Sequence, residues 1–263
     1  MSIRSSVNTV KLSIQSMSLV NVLGWQDIMQ RYRQSAIGPF WITLSMVLQI
    51  ATIGFVFSYI FHLPIQEYVP FLATGVIIWT LISTTISEGC LCFVESEAII
   101  KQLPIPLFVH VFRAVWRNTL ILFHNILILP LIFIFLSQPV TPLMLLAIPG
   151  FLLLIFNLVW IALLLGIISA RFRDFPNIIN SLLQIAFYVT PVIWMPKLLS
   201  ERVEFMILDF NPFYHFIEII RSPILDSWPN PMSWLIVGVI GVIGWFVTLF
   251  IASRYQDRVA FWV

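Results

Sequence analysis

The sequence predicts an all-α membrane protein. It has six transmembrane helices, an N-terminal amphipathic helix, short external helices between the fifth and sixth spans, and both termini in the cytoplasm. Three observations predict this. First, apolar stretches run at Pro39–Phe61, Tyr68–Gly89, Leu107–Leu136, Leu143–Ala170, Phe175–Met195 and Met232–Ser253. Each reaches the about 20 helical residues that cross about 30 Å of hydrocarbon. Second, 60% hydrophobic residues, 10% charged residues and a mean hydropathy of +0.98 exclude an ordinary soluble domain. Third, the basic residues segregate. If the stretches alternate in direction, Arg4, Lys11, Arg31, Arg33, Lys101, Arg113, Arg117, Arg171, Arg173, Arg254 and Arg258 share one side. Only Lys197, Arg202 and Arg221 take the other, so the 14 basic residues divide 11 to 3. Short loops rich in Lys and Arg stay cytoplasmic.

Six spans and short connections nearly use up the 263 residues, so 1–263 reads as a single transmembrane domain without a soluble catalytic part. The first 20 residues are polar or mixed, and no cleavable signal peptide is expected ahead of Pro39. Cys90 and Cys92 form C-x-C at the predicted cytoplasmic end of the second span. With no second ligand pair and a reducing cytoplasm, they read as buried cysteines rather than a disulfide or zinc site.

Before the first span, over 19–37, Val22, Trp25, Met29, Tyr32 and Ala36 recur at helical spacing, opposite Gln26, Asp27, Gln30, Arg33 and Gln34. A short helix with Trp and Tyr on one face and Arg at its edge suits the membrane surface, or the surface of a soluble partner. Gly38-Pro39 then turns the chain into the bilayer. The loops His62–Glu67 and Ser137–Pro142 lack Lys and Arg, as external loops should.

The segment 93–103, FVESEAIIKQL, differs. Ser96, Glu95 or Glu97 could cap a short helix with Ala98, Ile99 and Ile100 exposed and Lys101 near its end. An apolar-tipped cytoplasmic helix stopped by Pro104 suits insertion into a partner's groove, and a solvated charged turn accounts for it equally well. The third span opens with His110, Arg113 and Arg117. A charge at the bilayer centre costs about 2.5–3.5 kcal/mol, so these arginines should sit at headgroup level, paired with lipid phosphate or with Glu88. Between the fifth and sixth spans, over 198–225, Leu199, Val203, Met206 and Phe210 form one stripe. Phe213, Ile217 and Ile220 form another, with Asn211-Pro212 between them. Both helices are too short to span and should rest near the outer leaflet.

Two spans carry polar residues on one face: Ser45, Gln49, Thr52 and Tyr59 in the first, and Asn177, Asn180, Gln184, Tyr188 and Pro191 in the fifth. In hydrocarbon such groups need partners. Interhelical hydrogen bonds, worth about 0.6 kcal/mol each, are one solution and a lined cavity is the other. No Asp or Glu falls in mid-span to bind cations or relay protons. Aromatic residues are plentiful instead, at Trp41, Phe55, Phe57, Tyr59, Phe61, Phe187, Tyr188 and Trp194, and rings with scattered amides suit sugars. None of Lys11, Lys101 and Lys197 follows a glycine, so no phosphate-cradling G-x-x-x-x-G-K-[ST] is present. No Ser-His-Asp grouping, metal-ligand helix or paired carboxylate inside a span suggests an enzyme, and no catalytic residue or metal site is expected.

Several motifs in order resemble a known family. They are Arg31-Tyr32-Arg33 with Ser35, Gly38 and Trp41; Ile100-Lys101 ahead of Pro104 and Pro106; Phe172-Arg173-Asp174; Thr190-Pro191-Val192; and Asn211-Pro212. Over almost the whole chain the sequence resembles the permease subunits of bacterial ABC transporters that export polysaccharides such as O-antigen, capsule and teichoic acid. The resemblance implies a homodimer of this chain, two copies of a cytoplasmic ATP-binding subunit that holds ATP and Mg, a lipid-linked polysaccharide substrate, and residence in the inner membrane. It implies an interface helix with Trp25, Arg31, Tyr32 and Arg33, and an ATPase-coupling helix with Glu95, Glu97, Ile99, Ile100 and Lys101. Gate helices would follow over 198–225, and a channel would be lined by the first and fifth spans. No cofactor in this chain and no nucleic acid are expected. Export of a drug or small lipid, and a membrane-embedded enzyme or assembly factor for lipid-linked glycans, are the competing readings.

Overall fold

The computed structural model describes residues 16–31, 33, 38, 40–103, 105–198, 200 and 207–263. The helices in order are α1 (Met17–Arg31), α2 (Phe40–Phe61), α3 (Ile65–Glu95), α4 (Glu97–Gln102), α5 (Leu107–Ile126), α6 (Ile128–Phe135), α7 (Ala147–Arg171), α8 (Phe175–Val189), α9 (Pro212–Ile224) and α10 (Pro231–Trp262). Among the described residues five helical stretches are long and apolar enough to cross a membrane: Phe40–Phe61, Ile65–Glu95, Leu107–Phe135, Pro142–Arg171 and Pro231–Gln256.

The fifth predicted span differs. Its helix α8 has 15 residues, about 22 Å at 1.5 Å per residue and short of the hydrocarbon thickness. Proline at 191 disfavours helical geometry at the residue before it, and Thr190 is extended (φ −80, ψ 137).

α3 is the central pillar, with 78% of its apolar window buried against 17% for α2. It packs on α2, α5, α7 and α8, and its buried side includes Tyr68, Leu72, Ile77 and Ile82. Without a hydrophobic driving force between lipid-bathed helices, dense van der Waals contact and polar bonds hold such a bundle. Pro70 lies inside α3 and has no N–H for the Gln66 carbonyl four residues earlier. Gln138 supplies the missing donor, Nε2 to Gln66 O at 2.9 Å. The third span is broken at Leu127 into α5 and α6. Pro130 cannot donate to Ile126 O and its ring crowds that carbonyl, which accounts for the break.

α1 packs on α5, while α9 packs on α7, α10 and α3. At the α1 end, Phe93, Phe108, Val111, Leu163 and Val259 form one apolar cluster. Arg173 Nη2 donates to the carbonyl of Trp262, at the end of α10, at 3.3 Å. At the α9 end, Glu67 and Lys197 form an ion pair between segments far apart in sequence.

Of the two predicted short helices after the fifth stretch, the second is α9. Asn211 caps it, its Oδ1 accepting from Phe213 N at 3.0 Å and Tyr214 N at 3.3 Å. The helix runs past Ser222-Pro223 to Ile224, and Ile217 and Ile220 are buried on protein rather than resting on lipid. The first predicted helix falls largely on 199 and 201–206, outside the described residues.

Candidate functional site

The polar stripe of α2 is exposed throughout: Ser45, Gln49, Thr52 and Tyr59 all face outward. A period of 3.6 residues puts it nearly opposite Met46, Ile50, Gly54 and Ser58, the side that α2 buries. The stripe of α8 behaves alike. Asn177, Asn180, Gln184 and Tyr188 are exposed, whereas Pro176 and Leu183 are buried. Among the described residues no hydrogen bond joins the two stripes. Asn180 Oδ1 instead accepts from Ser87 Oγ of α3 at 2.6 Å, and Ser45 Oγ donates to Ile42 O at 2.9 Å.

The aromatic residues divide. Tyr59 (66% exposed) and Tyr188 (65%) point outward, with Phe55 edge-on to Tyr59 at 5.0 Å. Phe57, Phe61 and Phe187 pack inward on the apolar core, Phe187 against Trp79 at 5.6 Å. These three therefore belong to the scaffold. Spacing alone does not separate them from the outward rings.

The end of α8 is held by residues that periodicity does not single out. Thr190, Pro191 and Val192 are buried although their backbone is non-helical. Irregular backbone at membrane depth survives only where protein or water satisfies it. Tyr68 OH donates to Ile193 O at 2.6 Å, Arg221 Nη1 donates to Pro191 O at 2.6 Å, and Asn211 Nδ2 donates to Thr190 Oγ1 at 2.9 Å. Arg221 is 2% exposed, ion-paired with Glu218 at 3.0 Å, and its guanidinium lies 4.1 Å from the Phe71 ring centroid. A Cβ on Gly75 would stand 3.1 Å from Val192 O, so α3 must be bare there for the segment to seat.

The arginines of α5 are paired within the protein. Arg117 contacts Glu88 (Nη2–Oε2, 2.8 Å) and Asp27 (Nη1–Oδ2, 2.9 Å). Arg113 grips both oxygens of Asp27, through Nε at 2.8 Å and through Nη2. Asn118 Nδ2 adds a bond to Glu88 at 2.6 Å. Glu88 is the partner expected from sequence. Asp27, placed there on the solvent-facing side of the first helix, is the one missed, because only docking of α1 on α5 brings it within reach. α1 accordingly has two faces of different use. Val20, Gly24 and Ile28 are buried, and a Cβ on Gly24 would lie 2.9 Å from the Trp116 ring. Val22, Trp25 and Met29 remain exposed, each about half so. Arg33 is exposed; Tyr32 and the side chain of Arg31 lie outside the described residues.

α4 is a single short helix. Ser96 stands at its N-cap position but makes no side-chain capping bond. Ala98 is exposed as expected, while Ile99 and Ile100 are half-buried, Ile100 against the cluster at the α1 end. Glu95 is exposed, and Lys101 Nζ meets Glu97 Oε1 at 2.6 Å, holding the Glu97 carboxyl below the usual carboxylate range.

Comparison with known proteins accords with this architecture. The family model described as ABC-2 type transporter matches residues 18–225. Two proteins of Klebsiella pneumoniae, both described as O-antigen export system permease protein RfbA, are 24% identical, over 250 and 249 residues; in each case 92% of this chain and 93% of the relative are covered. A protein of the same description from Myxococcus xanthus is 24% identical over 211 residues, 78% of this chain and 80% of its own length. A multi-pass bundle of apolar helices matched over most of its length by that model belongs to the ABC-2 type transporter family.

Proposed function

We propose that this chain is the channel-forming membrane subunit of an ATP-driven exporter of lipid-linked polysaccharide, O-antigen before capsule, in the bacterial inner membrane. One observation carries the reading: α2 and α8 each expose a full stripe of polar residues ending in a tyrosine ring, and among the described residues no contact within a single chain joins the two stripes or covers them. Polar groups facing hydrocarbon are costly, so the stripes call for a second copy of the chain and an aqueous, sugar-compatible path between the two. The relatives described as O-antigen export permeases support the substrate class.

In this reading the chain crosses six times. α8 and the non-helical segment 190–195, buried at Thr190, Pro191, Val192 and Met195, together make the fifth crossing, and both termini are cytoplasmic. α1 is the interface helix, α4 the coupling helix and α9 a gate helix at the outer face. ATP and Mg are held by two copies of a separate cytoplasmic subunit, and catalysis of hydrolysis resides there. A sliding polymer requires weak, replaceable contacts, so Gln184→Ala should be mild. Gln184→Trp should slow export several-fold with the complex intact, read as surface polysaccharide against complex yield. Normal export from a stable Gln184→Trp complex would remove α8 from the path.

A further inference from the structure

A third polar surface lies on α3 and meets the α8 stripe at the Ser87–Asn180 bond. On α3, Thr80, Ser83, Thr84 and Ser87 are half-buried, and their spacing of 3, 1 and 3 keeps them on one helical face. Higher on the same helix, α2 covers this direction, with Val69 and Leu72 against Gly54 of α2. Lower down α2 touches α5, where Thr43 Oγ1 donates to His124 O at 3.2 Å. α8 flanks the other side through the Ser87–Asn180 bond and the Trp79–Phe187 contact. The half-buried hydroxyl face therefore lies between α2 and α8 toward the α1 end of the bundle.

Its hydrogen-bonding character is one-sided. Thr80 donates to Val76 O at 2.8 Å, Thr84 to Thr80 O at 2.6 Å, and Ser83 to Thr80 O at 3.3 Å. A hydroxyl has one hydrogen and two lone pairs, so each is spent as a donor toward its own helix and keeps lone pairs free to accept. The hydrogen of Ser87 goes to Asn180 Oδ1. α2, α3 and α8 contain no Lys or Arg, and Arg117 on the adjoining helix is engaged by Glu88 and Asp27. Such a hydroxyl face offers a phosphate no cation and offers neutral donors free lone pairs.

Resting on the channel reading above, we propose that α3 forms a third, water-exposed wall of the path, whose hydroxyl face accepts hydrogen bonds from the sugar hydroxyls of the glycan and leaves the carrier's phosphates unbound. Thiol accessibility in membranes containing the whole complex tests it, since a charged thiol reagent needs a hydrated, ionisable thiol. Ser83→Cys, Thr84→Cys and Ser87→Cys should label at least about tenfold faster than Thr85→Cys, which is fully buried on the other side of α3. Lipid-linked glycan should slow labelling of Ser83→Cys, and the sugar-free polyprenyl diphosphate should not. Protection by the sugar-free carrier would overturn the acceptor face. If Gln184→Cys labels and the three α3 thiols do not, α3 is no wall and the α2–α8 path stands. If none of the four labels, both readings fall.

Discussion

Asp27→Ala removes the carboxylate that two guanidinium groups share. Asp27 is 10% exposed and accepts from Arg113 Nε at 2.8 Å and Arg117 Nη1 at 2.9 Å. Two arginines and two carboxylates make the cluster neutral, and the substitution leaves it with one positive charge in excess. Losing one partner of a buried pair costs about 3–5 kcal/mol. Arg117 keeps Glu88, and the side chains involved retain 13–22% exposure, so the lower end applies, about 3 kcal/mol. At 1.4 kcal/mol per decade this weakens docking of α1 on α5 by roughly a hundredfold. Hydrogen exchange of the amides in α1, measured on the lipid-embedded complex, reads that equilibrium. Protection should fall by about two orders of magnitude in α1 and stay unchanged in α7. Adding Arg113→Ala should restore part of it, because the second change removes the stranded charge. If α1 keeps its protection within about threefold in Asp27→Ala, the contacts of Val20 and Ile28 hold the helix alone and the ionic latch is refuted.

Arg221→Met strips the donor from Pro191 O and the counter-charge from Glu218, and should destabilise the complex by about 3 kcal/mol in thermal unfolding while Arg221→Lys loses less; an unshifted melting temperature would show that Tyr68 and Asn211 hold the α8 end alone. Ile99→Asp should abolish coupled ATP hydrolysis and export while the chain still inserts, because a charge replaces an apolar contact on α4; full export with partner retained would dismiss α4 as the coupling element. A reporter fused after Val263 should read cytoplasmic and one inserted at Ser200 external, and the reverse at either site would break the six-crossing topology.

Fold class, the apolar stretches and the two polar stripes follow from the sequence because they depend on composition and on the 3.6-residue period, which are properties of each segment by itself. Asn211-Pro212 as the start of α9 is likewise local chemistry, an amide side chain capping the turn that follows it. Glu88 and Arg117 are legible as a pair because both lie toward the same end of neighbouring antiparallel spans. The remaining features required the tertiary structure. Asp27 reads as a solvent-side residue until α1 docks on α5. Arg221 reads as one of three external cations until α9 folds down and points it at Pro191 O. The α3 hydroxyls read as ordinary helix residues until the bundle leaves them half-exposed beside α8. In each case the deciding quantity is the proximity of groups tens of residues apart, which no periodicity within one helix encodes.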